Sequence, residues 1–197
     1  MPLINIRNRK RELRAKYKRA RASIPEGLKA ELDKKLTERF LALEEYRACS
    51  TLFIYVSSPI ECDTSGIIAD AFSSGRRVAV PRCGEKSGDM DFYYITSLGD
   101  LEPGKFGIME PVPEKCEKAE DLSAGLCVVP GLCFDLQGYR IGFGKGYYDR
   151  FLQRFGGVTV GVCYYKCIQN DLPTGVYDKT VDILLTEKFI NRNVTKE

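Results

Sequence analysis

The segment Arg140-IGFGKGYYD-Arg150 sets glycines at three alternate positions, Gly142, Gly144 and Gly146, between Arg140 and a Lys145–Asp149 stretch. Each glycine gives up backbone entropy, about 0.5–1 kcal/mol relative to Ala in regular structure. Glycines alternating just ahead of a helix let successive N–H groups point into one concavity, a nest that suits an anion. The helix N-terminus behind them adds unpaired donors and about half a positive charge, and Arg140 and Lys145 bring full charges. No Ser or Thr follows the lysine, so this is not the Walker loop. The GxGxG spacing is not the GxGxxG dinucleotide fingerprint. On spacing alone, a phosphate nest and a tight turn are both open.

Asp149 bears on that choice. A carboxylate in a first helical turn is stabilising by itself, which is its structural reading. Beside a bound phosphate a bare carboxylate would repel the ligand. A divalent cation removes the conflict, since Mg²⁺ is usually held by one or two carboxylates together with phosphate oxygens. A polyphosphate with Mg²⁺ is the ligand that makes all these residues compatible.

The rest of the composition removes other chemistries. The chain has no histidine, and its eight cysteines never form CxxC. Zinc sites of Cys/His spacing and His-based nucleophilic catalysis are therefore not expected. The cysteines read as reduced thiols, several inside apolar runs such as Leu126-CVVP. With no apolar h-region near the start, this points to the cytoplasm. No run of about 18 apolar residues offers a membrane span. Net charge is +3, yet residues 7–21 carry nine Lys/Arg and one Glu. That basic stretch is a solvated helix face, a nucleic-acid arm or a source of phosphate ligands.

At 197 residues a single domain is expected, large enough to bury roughly 70% of its unfolded surface. Apolar periodicity predicts a helix over 4–22, with Ile6, Leu13, Tyr17 and Ala20 inward. A second is predicted over 25–46, Pro25 in its first turn and Leu28, Leu32, Leu36, Phe40 and Leu43 on one face. Thr51-LFIYV reads as a buried strand. Asp63-TSGIIADAFSSG reads as a helix capped by Asp63 or Thr64 and ended by Gly75. Arg77-VAVP completes a βαβ unit. Further strands are expected at Asp91-FYYI, Leu126-CVVP, Val158-TVGVCYY and Val181-DILLT. A last helix is expected over 147–155, with Tyr148, Phe151, Leu152 and Phe155 inward. Residues 84–89 and 103–124 read as loops and 135–146 as turns. The alternation predicts an α/β domain with a mixed, mostly parallel central sheet. Ligands then gather outside the carboxyl ends of the strands, where the 140–150 loop would lie.

Val128-VPGLCFDLQGYRIGFGKGYYDRFL resembles the signature of the 5-formyltetrahydrofolate cyclo-ligase family, also called methenyltetrahydrofolate synthetases. Four more segments resemble that family in order: Lys10-RELR, Glu61-CDT, Phe106-GIMEP and Tyr177-DKTVD. The pattern departs from the family at Phe143, Cys167 and Tyr177. The resemblance implies a three-layer α/β/α sandwich over residues 1–197 and an enzyme that closes 5-formyltetrahydrofolate to 5,10-methenyltetrahydrofolate. ATP and Mg²⁺ would be used, and ADP and phosphate released.

Carried over by residue, Lys10, Arg14, Arg140, Gly142, Gly144, Lys145, Gly146, Tyr147 and Tyr148 would bind ATP. Lys145 and Arg140 would act catalytically on the transferring phosphoryl group. Asp149 and Asp178 would hold Mg²⁺. Ser58, Glu61, Asp63, Phe143 and Tyr147 would bind the folate, with Glu61 and Asp63 both open as the pterin partner. Asp63 also has the helix-cap reading, and Tyr93 and Tyr94 are pocket lining or core. A monomer with no nucleic-acid or membrane partner is expected. The alternatives are a catalytically silent folate or nucleotide binder, and an RNA-binding module built on residues 7–21.

Overall fold

A computed structural model describes residues 5–84 and 88–193. Its centre is a seven-stranded sheet built from the apolar runs. In chain order the strands are β1 (Thr51–Phe53), β2 (Arg77–Cys83), β3 (Met90–Ile95), β6 (Leu126–Val129), β9 (Val158–Val162), β11 (Ile183–Leu185) and β12 (Ile190–Arg192). Their spatial order is β12-β11-β9-β6-β1-β2-β3. The five inner strands run parallel, and β3 and β12 close the edges antiparallel. The mixed, mostly parallel sheet expected from the sequence is the one observed. All four residues of β6 are buried, as a strand covered on both faces requires.

Helices flank this sheet: α1 (Ile6–Ala22), α2 (Glu26–Leu41), α3 (Glu44–Ala48), α4 (Ser65–Ser73) and α5 (Tyr147–Leu152). Phe53 meets Phe92, Phe151 and Phe155 at ring distances of 5.1–6.3 Å, which docks α5 on one face. Leu52, also buried, points to the other face by the two-residue repeat. Two small sheets are added: the hairpin β4 (Leu101–Pro103) and β5 (Met109–Pro111), and β7 (Cys133–Asp135) with β8 (Arg140–Ile141) and β10 (Ile168–Gln169). Among the described residues no helix is long and apolar enough to cross a membrane.

Several expectations are corrected. The helix expected over 25–46 is two helices, because the chain turns at Ala42–Leu43. That turn buries Leu43 and Tyr46 together and brings the Tyr46 ring to 5.1 Å from Phe40. Pro25 is the N-cap, one residue before the first turn. Leu28 is exposed, and Asp33 shares the buried face with Leu36 and Phe40. On α1 the stripe is Leu13, Tyr17 and Arg21, with Ile6 and Ala20 exposed. Strand β1 stops at Phe53, since Tyr55 is drawn into the following loop by bonds from its hydroxyl to the Cys62 carbonyl and from Thr64 Oγ1 to its own carbonyl. The 103–124 loop contains part of the β4–β5 hairpin, and α5 ends at Leu152. All eight cysteines are free thiols.

Candidate active site

The candidate residues gather at the carboxyl ends of β1, β6 and β9. After β6 the chain makes the β7–β8 hairpin and enters the glycine segment. Gly144 (φ +98°) and Gly146 (φ +72°) hold left-handed backbone, where a side chain costs about 1–2 kcal/mol. Gly146 is the N-cap of α5. A Cβ on Gly144 would also lie 3.0 Å from Arg14 Nε, whereas one on Gly142 meets nothing within 4 Å. Two of the three glycines are therefore demanded by the backbone itself.

Helix α1 lies along this segment. Arg14 Nε donates to the Gly142 carbonyl at 3.1 Å. One turn earlier, Lys10 Nζ pairs with Asp178 Oδ2. Asp178 also accepts from the Gly175 N–H (2.7 Å), which shapes the 175–178 turn. On β8, Arg140 donates from Nη2 to Asp149 Oδ1 (2.7 Å) and from Nη1 to the Lys179 carbonyl (2.8 Å). Its side chain is only 4% exposed, so the guanidinium depends on Asp149 for its counter-charge. The structure thus joins α1, the glycine segment and the 175–179 turn. The two carboxylates expected to hold a metal are each paired with a cation expected to meet phosphate.

Three more residues complete this side. Phe143 is exposed, with Lys18 Nζ 5.1 Å from its ring centre. Tyr147 stands beside Cys83 and Glu110; partial burial, then the Cys83 thiol, pushes its phenol above the usual value. Glu110, from the Phe106–Pro111 segment, is itself buried and accepts from the Cys83 N–H (3.2 Å). Tyr148 turns inward between Phe92 and Phe151, and its hydroxyl is the one buried side-chain polar atom without a hydrogen bond among the described residues.

The loop after β1 carries the expected folate groups. Glu61 is 6% exposed, and its Oε2 accepts from the Ser58 N–H (2.9 Å) and hydroxyl (2.7 Å). Asp63 is occupied elsewhere. Its carboxylate accepts from Ser57 Oγ, Ser65 N–H and Ser65 Oγ at 2.7–3.1 Å, at the start of α4. Burial works to raise its pKa, but these bonds and Lys29 hold it below the ordinary carboxylate value. Thr64 is the N-cap position and makes no side-chain cap bond. Tyr93 and Tyr94 pack against the core from β3, with the Arg77 guanidinium 3.6 Å from the Tyr94 ring centre.

Sequence reasoning missed Arg21, Asp33 and Tyr164, which are buried beneath this loop. A signal was present: both charged residues sit on the apolar stripes of their helices. Among the described residues no three His, Cys, Asp or Glu groups converge into a metal cage. Asp149 and Asp178 do fit Mg²⁺, which takes few protein carboxylates and shares phosphate oxygens. A groove of about 660 Å³ lined by Leu136, Gln137 and residues 189–193 shares no residue with this site.

Fold and site together define an α/β protein with cationic side chains gathered around a glycine-rich segment outside the carboxyl ends of a mostly parallel sheet. The chain belongs to the 5-formyltetrahydrofolate cyclo-ligase family, whose model matches residues 6–187. It is 33% identical to the mouse 5-formyltetrahydrofolate cyclo-ligase over 95% of this chain and 98% of the mouse protein. The Escherichia coli K12 enzyme of the same name is 27% identical, covering 85% of this chain and 94% of its own. The NMR structure of Aquifex aeolicus 5,10-methenyltetrahydrofolate synthetase superposes with a TM-score of 0.82 at 34% identity, over 95% of this chain and 94% of that one.

Proposed function

We propose that this chain closes 5-formyltetrahydrofolate to 5,10-methenyltetrahydrofolate at the expense of ATP, as a monomer in the cytoplasm. The observation that carries the reading is the gathering of three cations about the glycine segment, Arg14 on the Gly142 carbonyl, Lys10 paired with Asp178 and Arg140 paired with Asp149. In the ligand-free chain each carboxylate neutralises a cation. On binding, the triphosphate takes Lys10, Arg14, Arg140 and Lys145, together with the N–H groups of 142–148. Asp149 and Asp178 are then available for Mg²⁺, which supplies charge neutralisation between the phosphates when bound.

The folate enters over Phe143 and Tyr147, and Glu61, held by Ser58, accepts from the pterin amino and ring N–H groups in a bidentate pair. Asp63 is left to its cap role. The formyl oxygen attacks the γ-phosphorus, ADP leaves, and the formyl carbon becomes an iminium phosphate. Nitrogen 10 adds to that carbon, the carbon–oxygen bond breaks, and phosphate departs as the methenyl bridge forms. Arg140 and Lys145 stabilise charge on the transferring group, which is most of what phosphoryl transfer asks of a protein. No histidine is needed, because the substrate supplies both nucleophiles.

The test is a spectrophotometric trace of the methenyl chromophore on mixing protein, Mg-ATP and 5-formyltetrahydrofolate. A steady rise supports the reading. A flat trace from folded protein sinks it, and ATP and folate binding without product would favour the silent binder. The RNA-binding alternative loses ground, because Lys10, Arg14 and Arg21 of the basic stretch are directed into the protein.

A further inference from the structure

Beneath the Ser58–Asp63 loop lies a connected buried cluster that the reaction chemistry does not use. Arg21, at the end of α1, is 3% exposed. Its Nε donates to the Leu132 carbonyl (3.0 Å), Nη2 to the Gly131 carbonyl (2.7 Å) and Nη1 to the Ile60 carbonyl (3.4 Å). The Sγ atoms of Cys62 and Cys163 lie 3.8 and 3.4 Å from its nitrogens. The same guanidinium sits 5.2 Å from the ring centre of Tyr164. The Tyr164 hydroxyl donates to Asp33 Oδ1 (2.7 Å) and lies 3.5 Å from the Glu61 carbonyl. Asp33 Oδ1 also accepts from the Asp63 N–H (3.1 Å), and Lys29 pairs with Oδ2 (2.7 Å).

Side chains from three elements therefore hold the backbone on both sides of Glu61: Arg21 bonds the Ile60 carbonyl, and Asp33, itself held by the Tyr164 hydroxyl, bonds the Asp63 N–H. Burial first, then Cys62 and Asp33, raises the Tyr164 pKa, so its phenol stays a donor. Burial pushes the Cys62 thiol up to about 11, so it stays neutral beside Arg21. A loop held at Ile60 and at Asp63 presents the Glu61 side chain at a fixed depth and direction, which is what bidentate recognition requires.

We propose that Arg21, Tyr164 and Asp33 are positioning residues that set the affinity for the reduced folate by fixing Glu61. Because Arg21 also ends the helix that carries Lys10 and Arg14, the folate loop and the nucleotide-side helix share one buried anchor. This inference rests on the reading of Glu61 as the pterin partner.

The experiment is steady-state kinetics with 5-formyltetrahydrofolate and Mg-ATP varied separately, on wild type, Tyr164→Phe and Arg21→Lys. Tyr164→Phe removes only the hydroxyl; Arg21→Lys keeps the charge but loses the fork. Each is expected to raise the folate KM by about tenfold, the scale of one lost bond to a buried charged group. The ATP KM and kcat should stay within about twofold to threefold. Asp33→Ala, which removes the acceptor of both the Tyr164 hydroxyl and the Asp63 N–H, should raise the folate KM likewise. In the double variant with Glu61→Gln, Tyr164→Phe should add little to the folate KM, since it acts through Glu61.

Wild-type turnover decides the functional reading on its own. Given that turnover, equal rises in both KM values, an additive double variant or an unchanged folate KM overturns the inference. If Tyr164→Phe fails to fold, Arg21→Lys and Asp33→Ala carry the same decision.

Discussion

The two halves of the proposed site, a nucleotide half and a folate half, are built on opposite principles. The nucleotide half relies on partly buried ion pairs, Lys10 with Asp178 and Arg140 with Asp149, which a ligand can exchange for its own charges. The folate half relies on short hydrogen bonds inside a buried loop, where Ser58 already points Glu61 and Asp33 and Tyr164 hold the backbone. A highly charged ligand with a metal gains from a site whose charges are pre-neutralised and exchangeable. A neutral ring gains from donors and acceptors fixed in advance. Breaking each half should accordingly leave a different kinetic signature.

The largest effect belongs to the exchangeable charges. Lys145→Ala and Asp149→Ala should each abolish measurable turnover, a loss of at least about 10³-fold, given what removal of one transition-state donor costs. The Asp149 variant should melt earlier as well, since it leaves Arg140 buried without its counter-charge. Turnover at wild-type rate in either would show that phosphoryl transfer occurs elsewhere. On the folate half, Glu61→Ala should raise the folate KM by about a hundredfold with ATP KM little changed, whereas Asp63→Asn should move neither by more than about threefold. The reverse ranking would reassign the pterin to Asp63.

A smaller contrast lies within the glycine segment. Gly144→Ala forces a side chain into left-handed backbone against Arg14, while Gly142→Ala meets open space. The first should weaken ATP binding by about tenfold, matching a cost of about 1–2 kcal/mol, and the second should be close to neutral. Calorimetric titration with an ATP analogue separates them. Equal losses would mean that the segment binds through its flexibility and not through its shape.

How much of this was legible in the sequence follows from how local each cause is. Leu126-CVVP, Val158-TVGVCYY and Val181-DILLT were readable as strands because buried parallel strands are continuous apolar runs, though the strands themselves are shorter, ending at Val129, Val162 and Leu185. The glycine segment was readable because its backbone demands are written in residue type. The turn at Ala42–Leu43 was hidden, since Leu36, Phe40 and Leu43 keep helical spacing across it. The β4–β5 hairpin was hidden too: three-residue strands ending in Pro103 and Pro111 lack any period. Arg21 and Asp33 looked like solvated helix charges, and their role is set by Tyr164, more than 130 positions away. The proposed choice of Glu61 over Asp63 needed the structure, because only there is Asp63 seen engaged at the start of α4.

That engagement supplies the smallest prediction. Asp63 sits at the N-terminus of α4 with its pKa held below the ordinary value by Ser65, Ser57 and Lys29 against the opposing effect of burial. A carboxylate with a depressed folded pKa contributes stability that is fully present above its unfolded pKa, about 3.9, and is lost as pH falls through the folded value. Asp63→Asn keeps a side-chain acceptor and loses only the charge. At pH 7 it should therefore cost no more than the helix-terminus effect of about 0.3–1 kcal/mol. Urea unfolding of both proteins between pH 7 and pH 2 should show their midpoints converging below about pH 4 as the wild-type carboxyl protonates. A gap that stays constant to pH 2 would mean that the geometry of the cap, and not its charge, holds the first turn of α4. The contrast between a charge-exchanging nucleotide half and a hydrogen-bonded folate half would then be sharper than the ionised Asp63 suggests.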